Sequence, residues 1–122
     1  MIKISLILAC FWAVLPVFGQ ITPINKDYRD KIVNSIYKIE GGVRTKYPFG
    51  IKSIDTGGNY DKAKRICENT VQNNYIRWQK SGKTNDFLNF LADKYCPPID
   101  DKQGNINWKR NIKHYVKGPT KE

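Results

Sequence analysis

Ile32-Val33-Asn34-Ser35-Ile36-Tyr37-Lys38-Ile39-Glu40-Gly41-Gly42 is the stretch that decides the fold. Ile32, Val33, Ile36 and Tyr37 recur at helical spacing, so this segment predicts an amphipathic helix with one face in a core. The next member of that stripe is a carboxylate, Glu40, and the two glycines after it stop the helix. A carboxylate on a core-facing stripe is partly desolvated, and it lies at the negative end of the helix dipole. Both effects favour its protonated form, which is what a general acid working near neutral pH needs. The alternative is a solvated Glu40 in a frayed last turn beside a glycine cap.

Working outward, the helix is expected over about Asn25 to Glu40, with Thr22-Pro23 as its entry. Downstream, Val43 to Ile54 is rich in β-branched and aromatic residues and is punctuated by Pro48-Phe49-Gly50. This segment reads as a short two-stranded hairpin or a loop with strand-like ends, closed by Thr56-Gly57-Gly58-Asn59. A second helix is expected over roughly Tyr60 to Lys80, with Ala63, Cys67, Val71 and Trp78 as its stripe. Thr84 or Asn85 then caps a third helix whose Phe87, Leu88, Leu91 and Tyr95 face inward, and Pro97-Pro98 ends it. A polar loop from Ile99 to Asn107 leads to a last helix carrying Trp108, Ile112, Tyr115 and Val116, stopped by Gly118-Pro119. The expected fold is mainly α with about four helices and a small β-hairpin.

Upstream, Lys3 precedes an apolar run from Ile4 to Phe18, and Val17-Phe18-Gly19 before Gln20 reads as a cleavage site. Residues 1–19 are therefore expected to be a signal peptide, too short and wrongly flanked for a membrane span. Cys10 after Ile7-Leu8-Ala9 faintly resembles a lipoprotein box, but the apolar run continues well past it. Cleavage near Gly19 predicts a secreted or periplasmic protein with no membrane span. Residues 20–122 form one small domain, expected to be a monomer. In an oxidising compartment Cys67 and Cys96 are expected to pair, closing a loop of about 30 residues for on the order of 3 kcal/mol. One histidine and no Cys-x-x-Cys give no zinc pattern, so neither metal nor cofactor is expected. The chain carries +10, a charge that draws small secreted domains to polyanions such as nucleic acid, anionic membrane or wall polymer.

Glu40-Gly41-Gly42 followed by Gly50-Ile51-Lys52-Ser53-Ile54 resembles the active-site corner of the lysozyme superfamily, in its soluble lytic transglycosylase and goose-type lysozyme branch. That branch carries Glu-Ser-Gly and later Gly-Leu-Met-Gln-Ile; Ser53 stands here at the position of its glutamine. Lys94-Tyr95-Cys96-Pro97-Pro98, with Asn107-Trp108 beyond it, is similar to the Arg-Trp-Ala-Pro-Pro segment of phage-associated muramidase-like domains. The resemblance implies a lysozyme-like fold and an enzyme that cleaves peptidoglycan glycan strands, as a muramidase or a lytic transglycosylase.

In that reading Glu40 is the general acid, because glycoside cleavage needs a proton on the leaving oxygen. Asp55 is the best-placed second carboxylate, which would make the enzyme an inverting hydrolase; as a turn residue before Thr56 it would leave transglycosylation. Tyr47 and Tyr75 are candidates to stack on sugar rings, and Thr45 and Ser53 to hold water or an N-acetyl group; Tyr75 at helical spacing also suits a core. Two other functions compete. One is a non-enzymatic binding protein docking on wall polymer or nucleic acid through Lys109, Arg110, Lys113 and Lys117. The other is a secreted ribonuclease using Glu40, Arg44 and His114, although Lys113 beside His114 opposes its use as a base.

Overall fold

The computed structural model describes residues 20–52, 57 and 59–118. The expected signal peptide, Ser53, Ile54 and Asp55 lie outside the described residues. Four α-helices carry the fold among the described residues: α1 Lys26–Ile39, α2 Tyr60–Lys80, α3 Phe87–Tyr95 and α4 Lys102–Lys117. Each begins on a side-chain cap three residues before the amide it receives. Asn25, Asn59, Asp86 and Asp101 accept from the backbone N–H of Tyr28, Lys62, Asn89 and Gly104 at 2.8–3.1 Å. Such caps satisfy amides that the helix leaves open, for about 1 kcal/mol each.

The stripe of α1 buries Ile32, Val33 and Ile36 against α4 and α2, and α3 packs on α2 and α4. Ala63, Cys67 and Val71 of α2, Phe87, Leu91 and Ala92 of α3, and Trp108 and Ile112 of α4 complete one core. At the far end of α2 the segment ahead of α1 is tied down. Thr22 donates its backbone N–H to Gln79 Oε1 at 2.9 Å, and Gln79 Nε2 donates to the Thr22 carbonyl at 2.7 Å. No helix among the described residues is long and apolar enough to cross a membrane.

Three expectations are corrected. No strand forms among the described residues, and the hairpin is replaced by two 3-10 turns, Gly42–Arg44 and Pro48–Gly50. Gly41, Gly42, Phe49 and Gly50 all take positive φ, which breaks the extended backbone a hairpin needs. Cys67 and Cys96 are both free thiols, so the disulfide is not formed. The residue that α3 turns toward Cys67 is Tyr95, whose hydroxyl lies 3.5 Å from the Cys67 sulfur. Cys96 is the next residue, about 100° further round, at the cap where the helix unwinds. Finally, α4 begins at Lys102, so much of the expected polar loop is helix. Its buried Asn105 bonds Asp93 at 2.9 Å and the Cys96 carbonyl at 2.8 Å, a polar tie that hydrophobic periodicity does not register.

Candidate active site

Glu40 caps the C-terminus of α1, its backbone N–H still donating to the Ile36 carbonyl at 2.9 Å. Gly41 follows at φ +108°, a left-handed turn that throws the chain away from the helix axis. The half-buried carboxyl is held from two sides. The Trp108 indole N–H donates to Glu40 Oε1 at 3.2 Å. On the other side Gly50 comes so close that a Cβ there would sit 2.9 Å from Glu40 Cδ and Oε2. Only a glycine permits that approach, and Gly50 also sits at φ +70°.

The segment carrying Gly50 is anchored by its neighbour. Phe49 is fully buried although its φ is +61°, a conformation unfavourable for a bulky residue. Its ring packs against Tyr37 of α1 at 5.1 Å and Tyr60 of α2 at 5.5 Å, and those two rings meet edge-on at 5.3 Å. Three aromatic rings thus hold a locally strained backbone in place beside the acid, a pattern common at functional sites.

Gly50 is also part of the wall of an open cleft of about 460 Å³. Phe49, Ile51 and Lys52 line one side; Ile66 and Thr70 of α2 and Lys94 and Tyr95 of α3 line the other. Tyr95 ties the cleft back to the acid, because its ring stacks on Trp108 at 5.1 Å with only 16° between planes. Cys67, Tyr95, Trp108 and Glu40 therefore form one continuous line of contacts through the core. Burial, the main cause, pushes the Cys67 thiol up to about 12, helped by the charges of Glu68 and Glu40 and opposed by the Tyr95 hydrogen bond. The Tyr95 phenol is raised well above its ordinary range, by burial first and then by Cys67 and Glu40. The Cys96 thiol is also raised, through desolvation and then Asp101, Glu40 and Asp100. All three groups stay neutral at pH 7.

Of the residues singled out in sequence, Glu40 and the Gly50-Ile51-Lys52 run come together. Thr45 serves the loop itself, its Oγ1 accepting from the Tyr47 N–H at 3.1 Å. Tyr47 is 38% exposed, with the Lys46 and Lys52 ammoniums 5.2 and 5.7 Å from its ring centre, so it stands at the edge of the cleft that Lys52 lines. Tyr75 packs edge-on against Phe87 at 5.0 Å and beside Trp78, apart from the cleft lining. Asp55 and Ser53 are outside the described residues. His114 and Arg44 are exposed, and His114 packs on Tyr115 rather than near the Glu40 contacts. Within the expected basic patch, Lys109 pairs with Asp93 at 3.1 Å and Lys113 with Asp86 at 3.4 Å. Among the described residues no group of three or more His, Cys, Asp or Glu side chains could hold a metal ion.

Trp108 and Tyr95 are the functional neighbours that periodicity alone assigns to the core. No protein-family model matches the chain, and no curated protein or solved structure matches it either.

Proposed function

We propose that this chain is a secreted glycosidase that cleaves peptidoglycan glycan strands, with Glu40 as its general acid. The observation that carries the reading is the seating of one carboxyl between the Trp108 indole and Gly50, where Gly50 is also cleft wall. A glycan strand lying in the cleft would bring a glycosidic oxygen toward the acid, which protonates the departing sugar as the C–O bond opens. The oxocarbenium-like charge left behind needs a partner. Where Asp55 supplies it, water enters from the far face and the product carries a reducing end. Otherwise the sugar's own hydroxyl closes the ring and no water is consumed. The wall of Ile51, Ile66 and Tyr95 suits the faces of pyranose rings, and Thr70 offers a short hydroxyl.

The test is loss of turbidity of purified cell walls. Glu40→Gln keeps an oxygen acceptor for the Trp108 indole, so the fold and wall binding should persist while lysis falls by about a thousandfold or more. Lysis at the parental rate would remove Glu40 from the mechanism. Mass spectrometry of the fragments separates the two product types by the mass of one water.

A further inference from the structure

A second depression of about 400 Å³ opens on the other side of the turn that follows Glu40. Its walls are Tyr37 and Lys38 of α1, the Gly41-Gly42 pair with Val43 and Arg44, and Tyr115 of α4. Tyr37, which lines it, packs at 5.1 Å on Phe49, which lines the cleft already described. Glu40 immediately precedes the Gly41-Gly42 floor. Gly50, which closes on the Glu40 carboxyl, lines the first depression, and Gly41, the residue after Glu40, lines the second.

The charge of both walls is one-sided. Lys52 and Lys94 line the first, Lys38 and Arg44 the second, and no Asp or Glu side chain lines either among the described residues. Three cations elsewhere, Arg29, Lys109 and Lys113, each pair with a carboxylate at 3.0–3.4 Å. Lys38 and Arg44 have no such ion pair among the described residues. The Lys38 ammonium instead lies 5.5 Å from the Tyr115 ring centre, and that ring is 41% exposed. Lys38 has an ordinary task in the last turn of α1, where a cation complements the helix dipole. Arg44, beyond the helix, has none. Val43 lines the same depression and is 91% exposed.

We infer that this second groove seats the carboxylate groups of an acidic glycan, held by Lys38 and Arg44 while the sugar backbone crosses Glu40. The inference rests on the glycan-cleaving reading for the identity of the polymer, and it adds that acidic substituents are recognised. A guanidinium and an ammonium across a short groove match carboxylates by charge and by hydrogen-bond geometry. Tyr115 and Val43 flank the cations with surfaces for the uncharged part of the substituent.

The experiment is equilibrium binding by the full chain of soluble glycan strands carrying free carboxylates, beside the same strands after their carboxyls are converted to amides. Binding is read in three proteins: the parent, Lys38→Gln/Arg44→Gln, and Lys80→Gln/Lys102→Gln. The last pair removes the same charge from positions that line neither depression. The parent should prefer the carboxylated strands, and the groove variant should bind them about tenfold more weakly with the amidated strands unaffected. The remote variant should stay near the parent. Equal binding of both strand types by the parent, no binding of either, or equal losses in the two variants would overturn the inference. Binding needs no turnover, so its failure is distinct from failure of the catalytic reading, which lysis by Glu40→Gln would reveal.

Discussion

At the scale of single residues, the acid and its indole partner form the centre of the site. Trp108 is nearly buried, stacked on Tyr95, and spends its only polar hydrogen on Glu40. An indole N–H is a donor only, so the contact fixes which carboxyl oxygen faces the core and leaves Oε2 on the Gly50 side. Trp108→Phe keeps an aromatic face for Tyr95 and removes that donor. It should lower the turnover of wall lysis with little change in half-saturating wall concentration, and cost about 1–3 kcal/mol in chemical denaturation. A variant with parental turnover would show that the indole fills space and does not position the acid. Glu40 was legible in the sequence because a charged residue interrupted an otherwise apolar stripe. Trp108 was not, since a tryptophan at helical spacing looks the same whether its nitrogen meets solvent, backbone or a carboxylate.

At the scale of elements, the helices and the segment between them behaved differently. The bounds of α2 and the stop of α1 followed from apolar spacing and the glycine-containing turns beside them, all of which act within a few residues. The start of α3 fell one residue past the expected caps, at Asp86, because Asn85 and Asp86 both carry capping side chains. The turn from Gly41 to Lys52 depended instead on long-range contacts. β-branched and aromatic composition favoured strands there, but burial of Phe49 between Tyr37 and Tyr60 decided the backbone. Local propensity loses when one large ring can reach the core only through a left-handed residue. The most sensitive position in this element is Gly50. Alanine there takes a φ that costs about 1–2 kcal/mol, and its methyl meets the Glu40 carboxyl, which is free to swing where backbone is not. Gly50→Ala should stay folded by circular dichroism yet lose most of its wall lysis. Retained lysis would mean the carboxyl does not need its present seat.

At the scale of the whole molecule, one helical core holds the domain with no covalent staple among the described residues, and its pH response follows from what that core encloses. Cys67 keeps its proton up to about 12 in the folded chain, whereas an ordinary cysteine thiol releases it at 9.0. Tyr95 is shifted in the same direction from 10.0, and the half-buried Tyr28 is raised as well. Above the unfolded pKa the folded state keeps protons that the unfolded state has released, and that difference favours unfolding as pH rises. Unfolding gains free energy as its thiol and phenols ionise, so stability is complete below pH 9 and falls between pH 9 and about 12. Thermal midpoints across that range should decline, and Cys67→Ala should make the decline shallower. A midpoint flat to pH 12 in the parent would contradict the burial of the thiol. The disulfide expectation failed at this scale because compartment and cysteine count say nothing about which side chain of a helix end faces its neighbour.

The clasp between Thr22 and Gln79 separates two ends of the molecule. Gln79 stands nine residues beyond Thr70 on α2, about 14 Å along the helix axis from that part of the cleft wall. Gln20, two residues ahead of the clasp, stands beside Gln79 at the end of α2 away from the candidate cleft. Tethering the protein through Gln20 should therefore leave the candidate cleft open toward an insoluble substrate.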